Sequence, residues 1–347
     1  MTRYALLILP AANRVYAEAA VGLIRAELAA FGAAVFDGEL PAAEITRRGS
    51  VPYLEFETGE LTAEVTAFLA NLSGIYALFA VSQDGLLQPL DLPRLDRYDD
   101  DLITIQKYQG KTNEQFTKLL LNVTLMASAF AGRMTSRQLA VLDPLCGRGT
   151  TLNQALMYGY DAAGLDRDQQ DFEAYTTFIK TWLQRKRIKH KISYDGPVRR
   201  ERKVAGRRLQ ASLAASPEDF KAGRTQQLDV VCADTLRAGE FFRPGSFDLL
   251  VTDAPYGVQH GSRTTAAGLT RRPQDLLSAA VPAWVKLLRP GGAVGIAWNT
   301  LVAPRGDATQ ILAEAGLEPV ESGPYLQFRH RVDQAIVRDI VVARKRA

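Results

Sequence analysis

Two short segments, whose aspartates lie 110 positions apart, hold the residues best suited to chemistry. The first is Val141-Leu-Asp-Pro-Leu-Cys-Gly-Arg-Gly-Thr-Thr-Leu152, and the second is Phe247-Asp-Leu-Leu-Val-Thr-Asp-Ala-Pro-Tyr-Gly257. In each, an apolar run stops at an aspartate and passes into a turn bearing Gly or Pro. A buried parallel strand delivers its carboxyl end to a ligand crevice in this way. Gly147 and Gly149 allow close backbone approach, and a helix opening at Thr150 presents free amide donors. No Gly-Lys-Ser/Thr follows, so the turn is not a P-loop, and it lacks the third glycine of the dinucleotide fingerprint. A zwitterionic amino-acid group suits it better, with its carboxylate on the amides and its ammonium on Asp143. An ordinary strand-to-helix turn of a doubly wound protein is the alternative.

The second segment offers acceptors. Pro255 restricts Ala254 to extended geometry, so the Asp253 carboxylate and the Ala254 carbonyl can together receive a flat NH₂ group. Tyr256 would stack on the base carrying that amine, which must leave its helix to be reached. A simple β-turn with Pro at its second position is the alternative. Asp166, ending a second strand, can accept both hydroxyls of a ribose or cap the following helix. Asp234 can accept the adenine amino group or act as another cap. Taken together, these residues suggest methyl transfer from S-adenosylmethionine to an exocyclic nitrogen, leaving S-adenosylhomocysteine.

These residues need a sheet to hold them. From about residue 139, strands are expected at Leu139–Asp143, Asp161–Asp166, Asp229–Ala233, Asp248–Asp253, Gly292–Trp298 and Ala335–Ala343. Helices are expected at Thr150–Tyr158, Gln169–Arg185, Pro273–Leu288 and Ala308–Gly316. Such alternation implies a mostly parallel sheet covered on both faces, with the last strand as an antiparallel edge. Upstream, Lys107–Gln115 leads into an amphipathic helix, with Thr112 and Gln115 spaced as a capping box. Residues 1–95 read as a small α+β unit: strand Tyr4–Leu9, helix Val15–Phe31 stopped by Gly32, strands Ala33–Phe36 and Val51–Phe56, helix Leu61–Leu72 and strand Gly74–Val81. That order is the split βαβ pattern of ferredoxin-like folds. Two domains are therefore expected, residues 1–95 and 96–347, with a basic insertion at 185–225.

Charge separates the partners. Between Arg185 and Arg208 eleven Lys or Arg stand against two acids, so this stretch carries +9 and the rest of the +4 chain −5. Such concentration is the footprint of a polyanion contact, here with Arg185, Lys186, Arg187, Arg199, Arg200, Arg202 and Lys203 as candidate RNA ligands. A solvated surface insertion is the blander reading. His190, His260 and His330 have no metal-ligand spacing, so no metal is expected. No apolar run is long enough for a membrane span, and Cys146 and Cys232 suit a reducing cytoplasm.

Lys107-Tyr-Gln-Gly-Lys-Thr-Asn-Glu-Gln115, the Asp143–Thr151 turn and Thr252-Asp-Ala-Pro-Tyr-Gly257 occur in the order found in a known family. The chain resembles the tRNA (guanine-10) N2-methyltransferases, and more broadly the RNA N2-guanine methyltransferases, across about residues 100–347. The resemblance implies a Rossmann-like class I catalytic domain with a mostly parallel seven-stranded sheet, and RNA, most specifically tRNA, as partner. It places Asp143, Gly147, Gly149, Thr150, Asp166, Asp234 and Asp253 around S-adenosylmethionine, with Gln109 and Thr112 near its methionine end. It gives Asp253, Ala254, Pro255 and Tyr256 the target base. The family usually has Asp-Pro-Pro-Tyr; Ala254 replaces the first proline, where only a backbone carbonyl is required. Its members also usually carry a THUMP domain, for which 95 residues are short. Methylation of another amine, on DNA, protein or a small molecule, and a non-catalytic RNA-binding module are the alternatives.

Overall fold

The computed structural model describes residues 1–10, 14–36, 43–108, 110–135, 139–200, 203–254 and 273–347. Gln109, Pro255, Tyr256, His260 and Arg202 of the expected residues lie outside these, as do the side chains of Arg200 and Lys203.

The amino-terminal unit contains β1 (Thr2–Ile8), α1 (Arg14–Val35), β2 (Glu44–Arg48), β3 (Val51–Thr58), α2 (Ala63–Leu69), β4 (Ile75–Val81) and β5 (Leu87–Leu90). They form an antiparallel sheet in the order β2-β3-β1-β4-β5. Alternation in β1 buries Tyr4, Leu6 and Ile8 together with Leu54 and Phe56 of β3. The strand expected at Ala33–Phe36 is instead the end of α1, which runs through Gly32; the strand lies later, at Glu44–Arg48. A glycine costs a helix only about 1 kcal/mol, and the buried stripe of Leu23, Ile24, Leu28 and Phe31 outweighs it.

After α3 (Asp101–Thr104) comes α4 (Glu114–Ala127), buried on nearly every face from Phe116 to Ala127. It packs against α1 on one side and the large sheet on another. Its cap is Asn113, whose side chain accepts from Phe116 N at 3.1 Å, in place of the expected Thr112. Asn122 of α4 donates to Glu27 of α1 at 2.7 Å, and Ser73 supplies its N–H and hydroxyl to the same carboxylate. Burial pushes the Glu27 pKa up, and these hydrogen bonds pull it back.

The large sheet follows: β6 (Ala140–Asp143), α5 (Thr150–Met157), β7 (Asp161–Asp166), α6 (Gln169–Arg185), β8 (Lys189–Arg200), β9 (Lys203–Ala214), α7 (Pro217–Lys221), β10 (Gln226–Cys232), α8 (Ala238–Phe241), β11 (Phe247–Asp253), α9 (Pro273–Leu287), β12 (Leu288–Asn299), α10 (Arg305–Glu314), β13 (Glu318–Pro319), β14 (His330–Arg331) and β15 (Val337–Arg344). Among the described residues it has ten strands, in the order β13-β15-β12-β11-β6-β7-β10-β9-β8 with β14 on β15. The centre β10-β7-β6-β11-β12 is parallel. Three details differ from expectation. The sheet has ten strands among the described residues where seven were expected, and five of them are parallel. The late strand β15 is antiparallel but interior, between β12 and β13. The basic insertion is a long hairpin, β8–β9, that extends the sheet through β10. The charges on its solvent side hide its alternation. No helix among the described residues is long and apolar enough to cross a membrane.

The two sheets share a core, since Leu6 and Leu54 belong to the same apolar cluster as Leu119, Leu152 and Leu249. Asn122→Ala should test the polar weld inside it. Removing the amide leaves the buried Glu27 carboxylate with Ser73 as its remaining hydrogen-bond donor, so stability should fall by about 2 kcal/mol in urea titration. A loss under about 0.5 kcal/mol would show that the weld contributes nothing.

Candidate functional site

The parallel strands β6 and β11 are neighbours, so Asp143 and Asp253 end at one rim of the sheet. There the two sequence segments are joined directly. Thr252 Oγ1 donates to Asp143 Oδ1 at 2.8 Å, and Leu145 N donates to the same oxygen at 3.1 Å. Asp143 is buried, and burial raises its pKa to about 7, partly offset by hydrogen bonds from Thr252, Leu145 and Thr151 and reinforced by the nearby Asp166.

The glycine turn leans on the next strand. Gly147 N donates to Asp166 Oδ2 at 2.8 Å, and Asp168 N to its Oδ1 at 2.8 Å. Asp166 therefore braces the turn, while the cap of α6 is Asp168. Burial raises the Asp166 pKa as well. Gly149 has φ +79°, and a Cβ there would lie 2.3 Å from the Tyr175 ring, so this position needs glycine on both counts. At Gly147 (φ +48°) a Cβ would meet nothing within 4 Å: the space beside the turn is open. Asp234, ending β10, accepts from Leu236 N at 2.9 Å and caps a short turn.

The segment before α4 closes over this rim. The Tyr108 hydroxyl lies 3.1 Å from Thr150 Oγ1, and the Arg148 guanidinium sits 4.8 Å from the Tyr108 ring centroid. The Thr112 hydroxyl donates to Asp253 Oδ2, and Arg338 Nη2 of β15 stands 3.8 Å from that same oxygen. Ala254 is buried, and its N–H reaches Ala297 O at 3.3 Å, which continues the pairing to β12. Asp143, Gly147, Gly149, Thr150, Asp166, Thr112 and Asp253 are thus linked through shared contacts. Asp234 ends the strand beside Asp166. The motifs alone do not single out Tyr108, Arg148, Thr252 or Arg338. Arg338 does leave a signal: with Asp339 it interrupts an otherwise apolar strand.

The donor set suits a zwitterionic, hydroxyl-bearing ligand. Buried carboxylates of raised pKa favour an ammonium, and open space adjoins the amides of a helix start. Gln106 Nε2 and Gln115 Oε1, on the closing segment, are buried without a hydrogen-bond partner. No cluster of metal-ligating side chains occurs among the described residues. A separate cleft of about 500 Å³ lies at the opposite, amino ends of the strands. Its polar groups are already matched, since Arg208 and Gln210 both donate to Asp229.

The basic stretch divides in two. Lys186 is held by Asp99 at 2.8 Å and Asp101 at 2.6 Å, Arg207 by Glu173, and Arg208 by Asp229. Lys186, expected on RNA, therefore ties the end of α6 to the start of α3. Arg185, Arg187, Lys189, Lys191 and Arg199 are exposed, with no ion-pair partner among the described residues.

The raised pKa of Asp143 has a consequence for stability. Its folded value lies above the usual carboxylate value, so its contribution is fully present near pH 4 and is lost as pH rises through 7. Asp143→Asn should gain on the parent between pH 5 and 7, by at most about 1.4 kcal/mol per pH unit. Thermal melts across that range check it; a constant offset between the two proteins refutes it.

Comparison with known proteins gives a consistent family. Residues 121–290 match the family model UPF0020, described as an RMKL-like methyltransferase domain. The chain is 32% identical over 126 residues to a ribosomal RNA large subunit methyltransferase K/L from Photobacterium profundum, covering 35% of this chain and 18% of that one. A protein of the same name from a Marinomonas species is 30% identical over 148 residues, or 42% and 20% of the two chains. The matches thus span about a fifth of these relatives' length. Among solved structures, the N-methyltransferase NodS from Bradyrhizobium japonicum WM9 aligns with a TM-score of 0.39 at 14% identity, over 67% of this chain and 96% of that one. That likeness is too distant to add to the family match. Across residues 121–290, which include Asp143, the glycine turn, Asp166 and Asp253, the chain is similar to RMKL-like methyltransferase domains.

Proposed function

We propose that this protein is an S-adenosylmethionine-dependent methyltransferase that modifies the exocyclic N2 of guanine in RNA. The observation that carries the proposal is the Thr252–Asp143 hydrogen bond. It joins the strand end that bears the candidate acceptor Asp253 to the turn that would hold a zwitterionic cofactor. S-adenosylmethionine supplies an electrophilic methyl carbon. Asp143 receives its ammonium, the turn at Gly147–Thr150 its amino-acid end, Asp166 its ribose and Asp234 its adenine, with Gln109 and Thr112 toward the methionine side.

Asp253 and the Ala254 carbonyl accept the hydrogens of the guanine amine and hold its lone pair toward the methyl carbon. The nitrogen–carbon bond forms as the carbon–sulfur bond breaks, and the nitrogen, acidic once alkylated, releases its proton to Asp253 or solvent. Positioning and acceptors placed where positive charge develops supply most of the rate. By the Asp-Ala-Pro-Tyr sequence, Tyr256, which follows Pro255, would stack on the flipped base.

RNA is favoured over other amines by the exposed Arg185, Arg187 and Arg199, and the sequence adds Arg200, Arg202 and Lys203 to the same basic run. The resemblance of the motifs favours tRNA, whereas the relatives' names point to large-subunit ribosomal RNA. Residues 1–95, in a strand-helix-strand-strand-helix-strand order that supports a ferredoxin-like reading, would orient the RNA. A cytoplasmic setting follows from such a substrate.

Incubation with labelled S-adenosylmethionine and RNA from cells lacking the protein should yield labelled N2-methylguanosine, and fractionation should assign it to tRNA or ribosomal RNA. Label on no RNA guanosine refutes the reading. Asp253→Ala should lower the rate at least about 100-fold while the thermal shift with S-adenosylhomocysteine persists. Charge reversal at Arg185, Arg187 and Arg199 should weaken RNA binding and reduce its salt slope by up to about 3, roughly one per phosphate lost. An unchanged slope in filter binding would reassign these residues to solubility.

A further inference from the structure

From Val337 to Ala343, β15 is apolar apart from an adjacent pair, Arg338 and Asp339, which are only 5% and 4% exposed. Asp339 is accounted for by Arg305, whose Nη1 donates to it at 2.9 Å. Neighbouring residues in a strand face opposite sides. Arg338 accordingly turns toward the crevice wall, with its guanidinium carbon 4.3 Å from the Phe116 ring centroid and its Nη2 3.8 Å from Asp253 Oδ2. That separation is too long for a hydrogen bond, so the attraction is one of charge. The buried, stacked guanidinium makes it stronger than a surface pair would be.

The strand that carries Arg338 is itself held in place. Arg338 pairs with Asn299 of β12 and with His330 of β14. Asn299 staples the two strand ends, accepting from Val337 N at 3.2 Å and donating to Ala335 O at 3.1 Å. Phe116, under the guanidinium, is packed on its other contacts by the buried His330 ring, with centroids 5.3 Å apart. Thr112, four residues before Phe116, donates its hydroxyl to the oxygen that Arg338 faces. Three elements, β11, β15 and the entry to α4, therefore converge on one carboxylate oxygen.

We infer that Arg338 is a positioning residue for Asp253: its charge, with the Thr112 hydroxyl, fixes the rotation of the carboxylate about its Cβ–Cγ bond. This rests on the reading that Asp253 receives the substrate amine. Misplacing a reacting group by about 1 Å can cost on the order of 100-fold in rate.

Arg338→Met, of similar length but uncharged, is compared with Arg338→Lys. Methyl transfer to total RNA and calorimetric binding of S-adenosylhomocysteine are both measured. Arg338→Met should lower kcat about 10- to 100-fold, with the half-saturating RNA concentration and the S-adenosylhomocysteine Kd changing less than about twofold. Arg338→Lys should recover most of the loss. Unchanged kcat in Arg338→Met, or equal losses in both variants with equally weakened ligand binding, overturns the assignment. If the parent protein transfers no methyl group, the functional reading fails, and thermal melts of Arg338→Met, Asp253→Asn and the double variant decide the positioning role. Non-additive shifts support an Arg338–Asp253 coupling, and additive shifts overturn it.

Discussion

The structure depends on a buried carboxylate that would not be tolerated without its neighbours. Asp143 sits at the end of a central strand with its pKa raised by burial, and it is held by the Thr252 hydroxyl and the Leu145 amide. Those bonds join the two segments that carry the candidate site. They also leave the acid in a state that a cationic ligand would relieve.

The same economy governs the surroundings. Asp166 braces the glycine turn through Gly147 N, Tyr175 fills the space that only glycine at position 149 leaves, and Tyr108 closes over Thr150. Each polar group that shapes the rim is engaged on one side by the protein, and the open side adjoins Gly147. By contrast, in the cleft at the amino ends of the strands Arg208 and Gln210 are both matched to Asp229.

Helix α4 couples the two sheets. It is apolar on most sides because it faces α1, α5 and the large sheet at once, and the buried Asn122, which donates to Glu27, ties it to α1. Its first turn carries Phe116 beneath Arg338, and Thr112 just before it reaches Asp253. Movement of the amino-terminal unit would thus be felt at the acceptor carboxylate. The positive charge on the hairpin side is divided between internal pairs and free surface, so net charge alone overstates the surface available to a polyanion.

Much of this is legible in the sequence. Apolar runs ending in aspartate mark β6, β7, β10 and β11 to within a few residues, because burial on both faces demands them. Periodicity locates α5, α6 and α9 for the same reason. The end of α1 is misplaced by pattern because a single glycine weighs less than a long buried stripe, and the β8–β9 hairpin is hidden because its solvent-facing charges obscure the alternation. Tertiary structure alone decided who meets whom: Thr112 freed from capping by Asn113, Lys186 drawn to Asp99 and Asp101, and Arg338 brought beneath Asp253 from 85 positions away. Local pattern follows from the burial each residue needs. Partners across the sheet follow from strand order, which no single segment encodes.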